Sequence, residues 1–162
     1  MKKIKLTQGQ YALVDDEDFE RVSKKKWHAL YSKEKDCFYA GRRQKGDDGI
    51  YRTLFMHRFI MDPPKNKSVD HKNHNTLDNT RLNLRVCTHG ENMRNSKIPK
   101  NNKTGYKGVH FNKSTGKFKS AIWFKNKFIH LGYFSNSKDA ARSYNNAALR
   151  YHKDFSFLND LS

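Results

Sequence analysis

The sequence predicts an α+β chain of small antiparallel sheets and short helices grouped in modules, not one large core. Three observations lead there. Only 35% of the 162 residues are apolar, yet aromatics reach 13%, a mix that suits small sheets whose cores rest on a few large rings. Short runs of alternating apolar and polar residues recur between Gly, Asn and Asp turns. Late in the chain, alanines appear in a stripe at helical spacing. At this length two to three small modules with modest cores fit.

The first module, residues 1–56, reads as β-rich with one brief helix. Tyr11-Ala-Leu-Val14 is an apolar run stopped by Asp15-Asp16-Glu17-Asp18. Asp16 or Asp18 is expected to cap a short helix through Val22, because a side-chain carboxylate accepts from the orphan amides of a first turn. Trp27, Ala29 and Tyr31 alternate with polar partners, as do the residues near Phe38 and Ala40. Gly46-Asp47-Asp48-Gly49 is a turn, so Cys37–Gln44 and Ile50–Phe55 should form a hairpin. No catalytic grouping is visible in this module. Pro63-Pro64 then breaks the chain after Phe59-Ile60-Met61.

The central module, residues 57–98, is poor in large apolar residues between Ser68 and Asn95 and dense in His, Asn, Asp and Arg. Such a segment needs a metal, a substrate or neighbouring modules to hold it. Ser96–Thr104 is a polar Pro/Asn/Lys stretch, with residues 99–103 as the linker proper. The third module spans residues 104–159. Tyr106, Val109 and Phe111 begin a strand, Phe118–Phe124 is a second and Phe128–Phe134 a third, and Ser114-Thr115-Gly116 and Lys125-Asn126-Lys127 make the turns. Ser135 or Ser137 is expected to cap a helix in which Ala140, Ala141, Tyr144, Ala147, Ala148 and Tyr151 recur on one face. A three-stranded antiparallel sheet plus a helix follows.

Charge supplies the first functional clue. Thirty-three Lys and Arg oppose 16 Asp and Glu, leaving +17. Such an excess repels itself in the folded state and points to a polyanionic partner. It is concentrated in residues 99–162, where 12 basic side chains oppose 3 acidic ones. Cys37 and Cys87 stand far apart without a Cys-x-x-Cys pair, which excludes a zinc finger of usual spacing and a disulfide framework. No apolar run is long enough for a membrane span, and the first 15 residues lack a signal-peptide core. A soluble, cytoplasmic protein without membrane partner or small-molecule substrate is expected.

Val69-Asp70-His71-Lys72-Asn73-His74-Asn75, then Arg81-Leu82-Asn83-Leu84-Arg85-Val86-Cys87-Thr88, then Glu91-Asn92-Met93, resemble the His-Asn-His (HNH) nuclease family, and within it the homing-endonuclease branch. The match runs from His57 to Asn95. The resemblance implies a ββα-metal motif: a two-stranded hairpin followed by a helix, gripping one divalent metal. Phosphodiester hydrolysis needs an activated water and charge stabilisation at the phosphate and the departing 3′ oxygen. His71 offers a neutral nitrogen near pH 7 and is the implied general base. Asp70 and Asn92 offer hard oxygen ligands for Mg²⁺, with Mn²⁺ as a substitute. By resemblance Asn83 holds the hairpin loop and orients the His71 imidazole. His57 matches a His-Arg pair preceding the motif and is read as packing behind it. Arg81, Arg85 and Arg94 are candidate phosphate clamps.

Tyr106-Lys107-Gly108-Val109, Gly116-Lys117-Phe118, Leu131-Gly132-Tyr133-Phe134, Asp139–Ala148 and Phe157-Leu158-Asn159 resemble the DNA-binding domain of plant ethylene-response factors. In that family the sheet enters the major groove, where a twisted ribbon carries side chains to base edges. Lys107, His110, Trp123 and His130 stand here where Arg or Trp is usual, and Lys is a point charge where Arg is a planar fork. The fold is implied; the plant target sequence is not. Lys107, His110, Lys117, Lys119, Trp123, Lys125 and His130 are the candidate DNA contacts. The two resemblances together imply a metal-dependent endonuclease acting on double-stranded DNA, of the mobile-element kind found in phages and bacteria, in the host cell cytoplasm if phage-encoded. A DNA-binding regulator with an inactive nuclease motif is the alternative, and a basic RNA-binding protein a third reading.

Overall fold

Strand pairing in the computed structural model, which describes residues 1–162, yields four small antiparallel sheets and four α-helices. The chain divides into two units, Met1–His89 and Gly90–Ser162.

In the first unit β1 (Lys2–Lys5) and β2 (Tyr11–Val14) form a hairpin. Helix α1 (Asp16–Ser23) follows. Its N-cap is Asp15, without a side-chain cap bond, which corrects the expected cap at Asp16 or Asp18. The physical reason is that the carboxylates at the start have other partners, Asp16 lying 3.3 Å from the N-terminal amine. Asp15 Oδ2 accepts from the Arg81 amide at 2.7 Å, and Asp18, inside the helix, turns to Arg81 and Arg21. Strands β3 (His28–Ser32), β4 (Cys37–Lys45) and β5 (Tyr51–Phe55) make a three-stranded meander. The β4–β5 hairpin closes on the expected turn, with Gly49 N donating to Gly46 O at 2.9 Å.

Phe59-Ile60-Met61 belongs to a helix not anticipated, α2 (Met56–Met61), which ends at Asp62 in a left-handed conformation just ahead of Pro63. A residue preceding proline avoids the α region, so the helix stops there. The hairpin β6 (Ser68–His71) and β7 (Leu84–Cys87) completes the unit. Ile4, Val14, Val22, Trp27, Met56, Ile60, Val69 and Leu84 share one core. Residues from both sides of position 56 thus bury one another, and the polar hairpin is held by apolar neighbours supplied by the N-terminal strands. Leu13 on β2 also donates to Leu77 O and accepts from Asn79 N, each at 2.8 Å, tying the loop after β6 to that edge.

In the second unit a short helix, α3 (His89–Asn95, all but its first residue), precedes β8 (Val109–Asn112), β9 (Lys117–Phe124) and β10 (Lys127–Phe134). β9 is central. The β9–β10 turn uses Lys125 and Asn126 at positive φ, 48° and 60°, the pairing that type I′ hairpins need. Helix α4 (Ser137–His152) lies against the sheet and buries Ala140, Ala141, Tyr144, Ala147 and Ala148. Its cap is Asn136, whose side chain accepts from Asp139 N at 2.8 Å, not Ser135 or Ser137. Asn136 is the residue whose extended backbone lets its oxygen reach the third helical amide.

Candidate functional site

Asp70 and His71 end strand β6, and both are buried, at 6% exposure each. Asp70 lies directly across the hairpin from Arg85. Neighbouring cross-strand positions bring side chains together, and Arg85 donates to Asp70 Oδ2 from Nε at 2.9 Å and from a terminal nitrogen at 2.6 Å. The pair is nearly solvent-free, with side-chain exposures of 13% and 7%.

The His71 ring sits in an aromatic enclosure. His57 of α2 meets it edge-on at 5.0 Å between centroids, and Tyr39 of β4 at 6.3 Å. Phe55 of β5 stacks on His57 at 5.4 Å. Burial pushes the His71 imidazole below its ordinary value; the amide of Asn79 and the carboxylates of Asp70 and Asp78 pull the other way without cancelling it. Burial, then the neighbouring His71, pushes His57 down to about 3, so His57 is neutral and packs as an aromatic ring. Burial also holds the proton on the Tyr39 hydroxyl.

Asn83 is buried and works on the loop between the strands. Its Oδ1 accepts from Asn73 N at 2.9 Å, and its Nδ2 donates to Asp78 O at 2.8 Å. Thr76 of that loop donates to Phe38 O of β4 at 2.5 Å. The side-chain amide that raises the proton affinity of the imidazole is that of Asn79, not Asn83, and it is 1% exposed. Tyr39, Phe55 and Asn79 are the residues that sequence reasoning missed. Only Asn79 lay within the recognised motif, and it carried no signal beyond being one asparagine among several.

Arg81 does not stand open to a phosphate. Its Nε lies 2.7 Å from Asp18 Oδ2 and 2.6 Å from Glu17 Oε1, which fastens the hairpin loop to α1. Burial opposes ionisation of Asp18, but hydrogen bonds from Arg81 and then Arg21 outweigh it and hold the carboxyl below the usual range.

No three His, Cys, Asp or Glu side chains gather into a metal cage. The donors on β6, one buried carboxylate beside an imidazole, suit a hard divalent ion that takes its remaining ligands from amide oxygen, phosphate and water. They do not suit a structural zinc site, which needs four protein ligands.

Asn92 and Arg94 lie on α3 in the second unit, where the Arg94 guanidinium covers the Phe124 ring at 5.8 Å. Across the sheet of that unit, the register pairs His110 with Lys119, Lys119 with Tyr133, Ala121 with His130, and Trp123 with Phe128. Side chains alternate faces along a strand, so these share the face turned away from α4, whereas Ile122 and Tyr144 are buried together on the other. Trp123 is 63% exposed, Tyr133 49% and Phe128 47%. Trp123 meets Phe128 edge-on at 5.6 Å, Lys119 Nζ stands 4.8 Å from the Phe128 ring, and His130 packs on Tyr133 at 4.8 Å. Lys117 and Lys125 are exposed at the two ends of β9. Five of the seven candidate contacts, His110, Lys117, Lys119, Trp123 and His130, thus share one face. Phe128 and Tyr133 join them, and the alternation of Phe128 with partly buried Ile129 was the signal available. Lys107 is elsewhere: its ammonium is partly buried, donating to the carbonyls of Arg94 at 2.7 Å and Ser96 at 2.6 Å, and burial pushes its pKa down to about 8.

Residues 62–94, which include Asp70, His71, Asn83 and Asn92, match the HNH endonuclease family. The chain is similar to an uncharacterized HNH endonuclease of Acanthamoeba polyphaga mimivirus, 29% identical over 154 residues, covering 94% of this chain and 76% of that one. It is also similar to APETALA2-like protein 2 of Oryza sativa subsp. indica and to an AP2-like ethylene-responsive transcription factor of Arabidopsis thaliana, each 38% identical over 53 residues. Those 53 residues are 33% of this chain but only 12% and 11% of the two plant proteins. No solved structure matches. No helix is long and apolar enough to cross a membrane.

Proposed function

We propose that this chain is a metal-dependent DNA endonuclease of the homing type, in which His71 takes the proton of the attacking water. The observation that carries the reading is the coincidence of the HNH match with the β6–β7 hairpin, where Asp70 and His71 are the last two residues of β6. A divalent ion, Mg²⁺ or Mn²⁺, would be held by Asp70 and Asn92 and would stabilise charge on the phosphate and the leaving oxygen. Asn83 fixes the loop through Asn73 and Asp78, so the hairpin end keeps its shape. Tyr39, Phe55 and His57 exclude water from the back of the His71 ring and keep it neutral, the state a general base requires. Arg94 is the guanidinium retained for phosphate; Arg85, held on buried Asp70, and Arg81, held on Asp18, serve the fold.

Residues 104–159 are proposed as an ethylene-response-factor-type domain that docks double-stranded DNA through the sheet face of His110, Lys119, Trp123 and His130, with Lys117 and Lys125 reaching the backbone at its ends. The partial AP2 matches and the excess of 12 basic over 3 acidic side chains beyond residue 98 support it. The test is nicking of supercoiled plasmid carrying the surrounding genomic locus. Ends should appear with Mg²⁺ or Mn²⁺ and disappear with EDTA. Cutting in excess EDTA would remove Asp70 and Asn92 from the mechanism, and no cutting with any divalent metal would leave a DNA-binding protein.

A further inference from the structure

Lys107 sits in the loop before β8 and is bonded as no phosphate-seeking surface lysine would be. Its ammonium lies 2.7 Å from Arg94 O, 2.6 Å from Ser96 O, 3.3 Å from Ser96 Oγ and 3.5 Å from Met93 O. These carbonyls belong to the last turn of α3 and the residue after it. A helix end leaves its final carbonyls without intrahelical donors, and a cation there satisfies both the acceptors and the dipole. The ammonium also stands 5.0 Å from the Phe157 ring.

The backbone of Lys107 is fixed separately. Its amide donates to Asn159 Oδ1 at 2.6 Å, and its carbonyl accepts from Asn159 Nδ2 at 3.1 Å. Asn159 in turn exchanges two bonds with the Asn145 side chain of α4, at 2.8 and 2.9 Å. The stretch read as the linker also carries side-chain bonds. Asn102 Oδ1 accepts from Thr104 N and Gly105 N, and Asn102 Nδ2 donates to Tyr106 O at 2.9 Å. Main-chain bonds thus anchor Lys107 to α4, while its side chain grips α3.

We propose that Lys107 is a positioning residue that clasps the C-terminal end of α3 to the sheet module, so that the helix carrying Asn92 and the surface that meets nucleic acid form one rigid body. The clasp itself stands on the geometry of this unit; its consequence for cleavage rests on the nuclease reading. The charge of Lys107 is thereby removed from the DNA-contacting set.

The experiment compares full-length wild type, Lys107→Met and Lys107→Arg in three measurements. In hydrogen exchange, Lys107→Met should speed the amides of residues 93–97 by roughly tenfold or more, since several charge-assisted bonds are lost, and Lys107→Arg should recover part of the protection. In a salt titration of duplex affinity, the slope of Lys107→Met should equal that of wild type. In nicking kinetics, kcat should fall roughly tenfold while KM stays constant, with partial rescue in Lys107→Arg. A salt slope lowered by about one, with exchange unchanged, would make Lys107 a phosphate contact and overturn the proposal. Faster exchange with unaltered kcat would overturn the positioning role. If wild type fails to nick with any divalent metal, the nuclease reading is what fails, and the exchange and salt arms still decide the clasp.

Discussion

His57 and His71 are in ring contact, yet the structure gives them different work. His57 is stacked on Phe55 and held neutral by burial, so its replacement by a similar ring should be tolerated. His71 ends β6 beside a carboxylate, and His71→Ala should lower the nicking rate by roughly two or more orders of magnitude, the usual contribution of a general base. DNA affinity should change by no more than a few-fold; wild-type cutting by His71→Ala, measured on supercoiled plasmid, would move the base elsewhere. Asp18 makes a residue-scale prediction about stability. Its folded-state pKa lies below its ordinary value, so the stabilisation is complete above about 3.8 and is lost as pH falls through the lowered value. Arg81→Ala leaves a buried carboxylate with Arg21 as its remaining guanidinium partner and should cost about 1–3 kcal/mol at neutral pH. The difference between Arg81→Ala and wild type in urea midpoints should shrink on acidification through that range. A gap that persists in acid would assign the loss to packing.

At the scale of elements, Gly108 is the position where local geometry and packing agree most closely. Its φ is +75°, and an added Cβ would stand 2.0 Å from Tyr144 Cδ2 and 2.8 Å from Ala121 O. Gly108→Ala should therefore combine the left-handed penalty of about 1–2 kcal/mol with overpacking of about 1–3 kcal/mol. Thermal unfolding followed by the fluorescence of Trp123 would register it, and an unchanged midpoint would mean that α4 can slide. The strands around Gly108 were legible in the sequence because alternation and turn residues act locally. The β9–β10 turn at Lys125-Asn126 is the clearest case. The cap of α4 was one residue off because Ser135, Asn136 and Ser137 are all competent caps, and packing of the alanine stripe selects among them. Helix α2 was not legible at all. Six residues hold no repeating stripe, and burial of Met56 and Ile60 against strands far away in sequence decides its conformation. The same holds for the enclosure of His71. The Asp-His motif can be read along the chain, but Tyr39 and Phe55 arrive from strands over fifteen residues away, and no local pattern announces them.

At the scale of the molecule, charge and chemistry fall in different stretches of sequence, and that separation can be measured. The Asp-His pair lies before residue 89, whereas residues 99–162 carry 12 basic against 3 acidic side chains. Phosphate neutralisation releases counterions, so each contact adds about −0.9 to the slope of log affinity against log salt. Lys119 lies on the open sheet face between His110 and Tyr133. If it meets a phosphate, Lys119→Ala should lower the slope by about one, and Trp123→Ala on the same face should weaken binding with little change in slope, because an indole carries no charge. Neither should alter the single-turnover nicking rate once protein saturates the duplex. His71→Ala should do the reverse, sparing affinity and salt slope while abolishing cleavage. Fluorescence anisotropy across a salt series, paired with single-turnover nicking on the same duplex, separates the two classes. A loss of saturated nicking rate in Trp123→Ala equal to its loss of affinity would mean that the sheet face takes part in the chemical step. In that case recognition and catalysis could not be assigned to separate stretches of the chain.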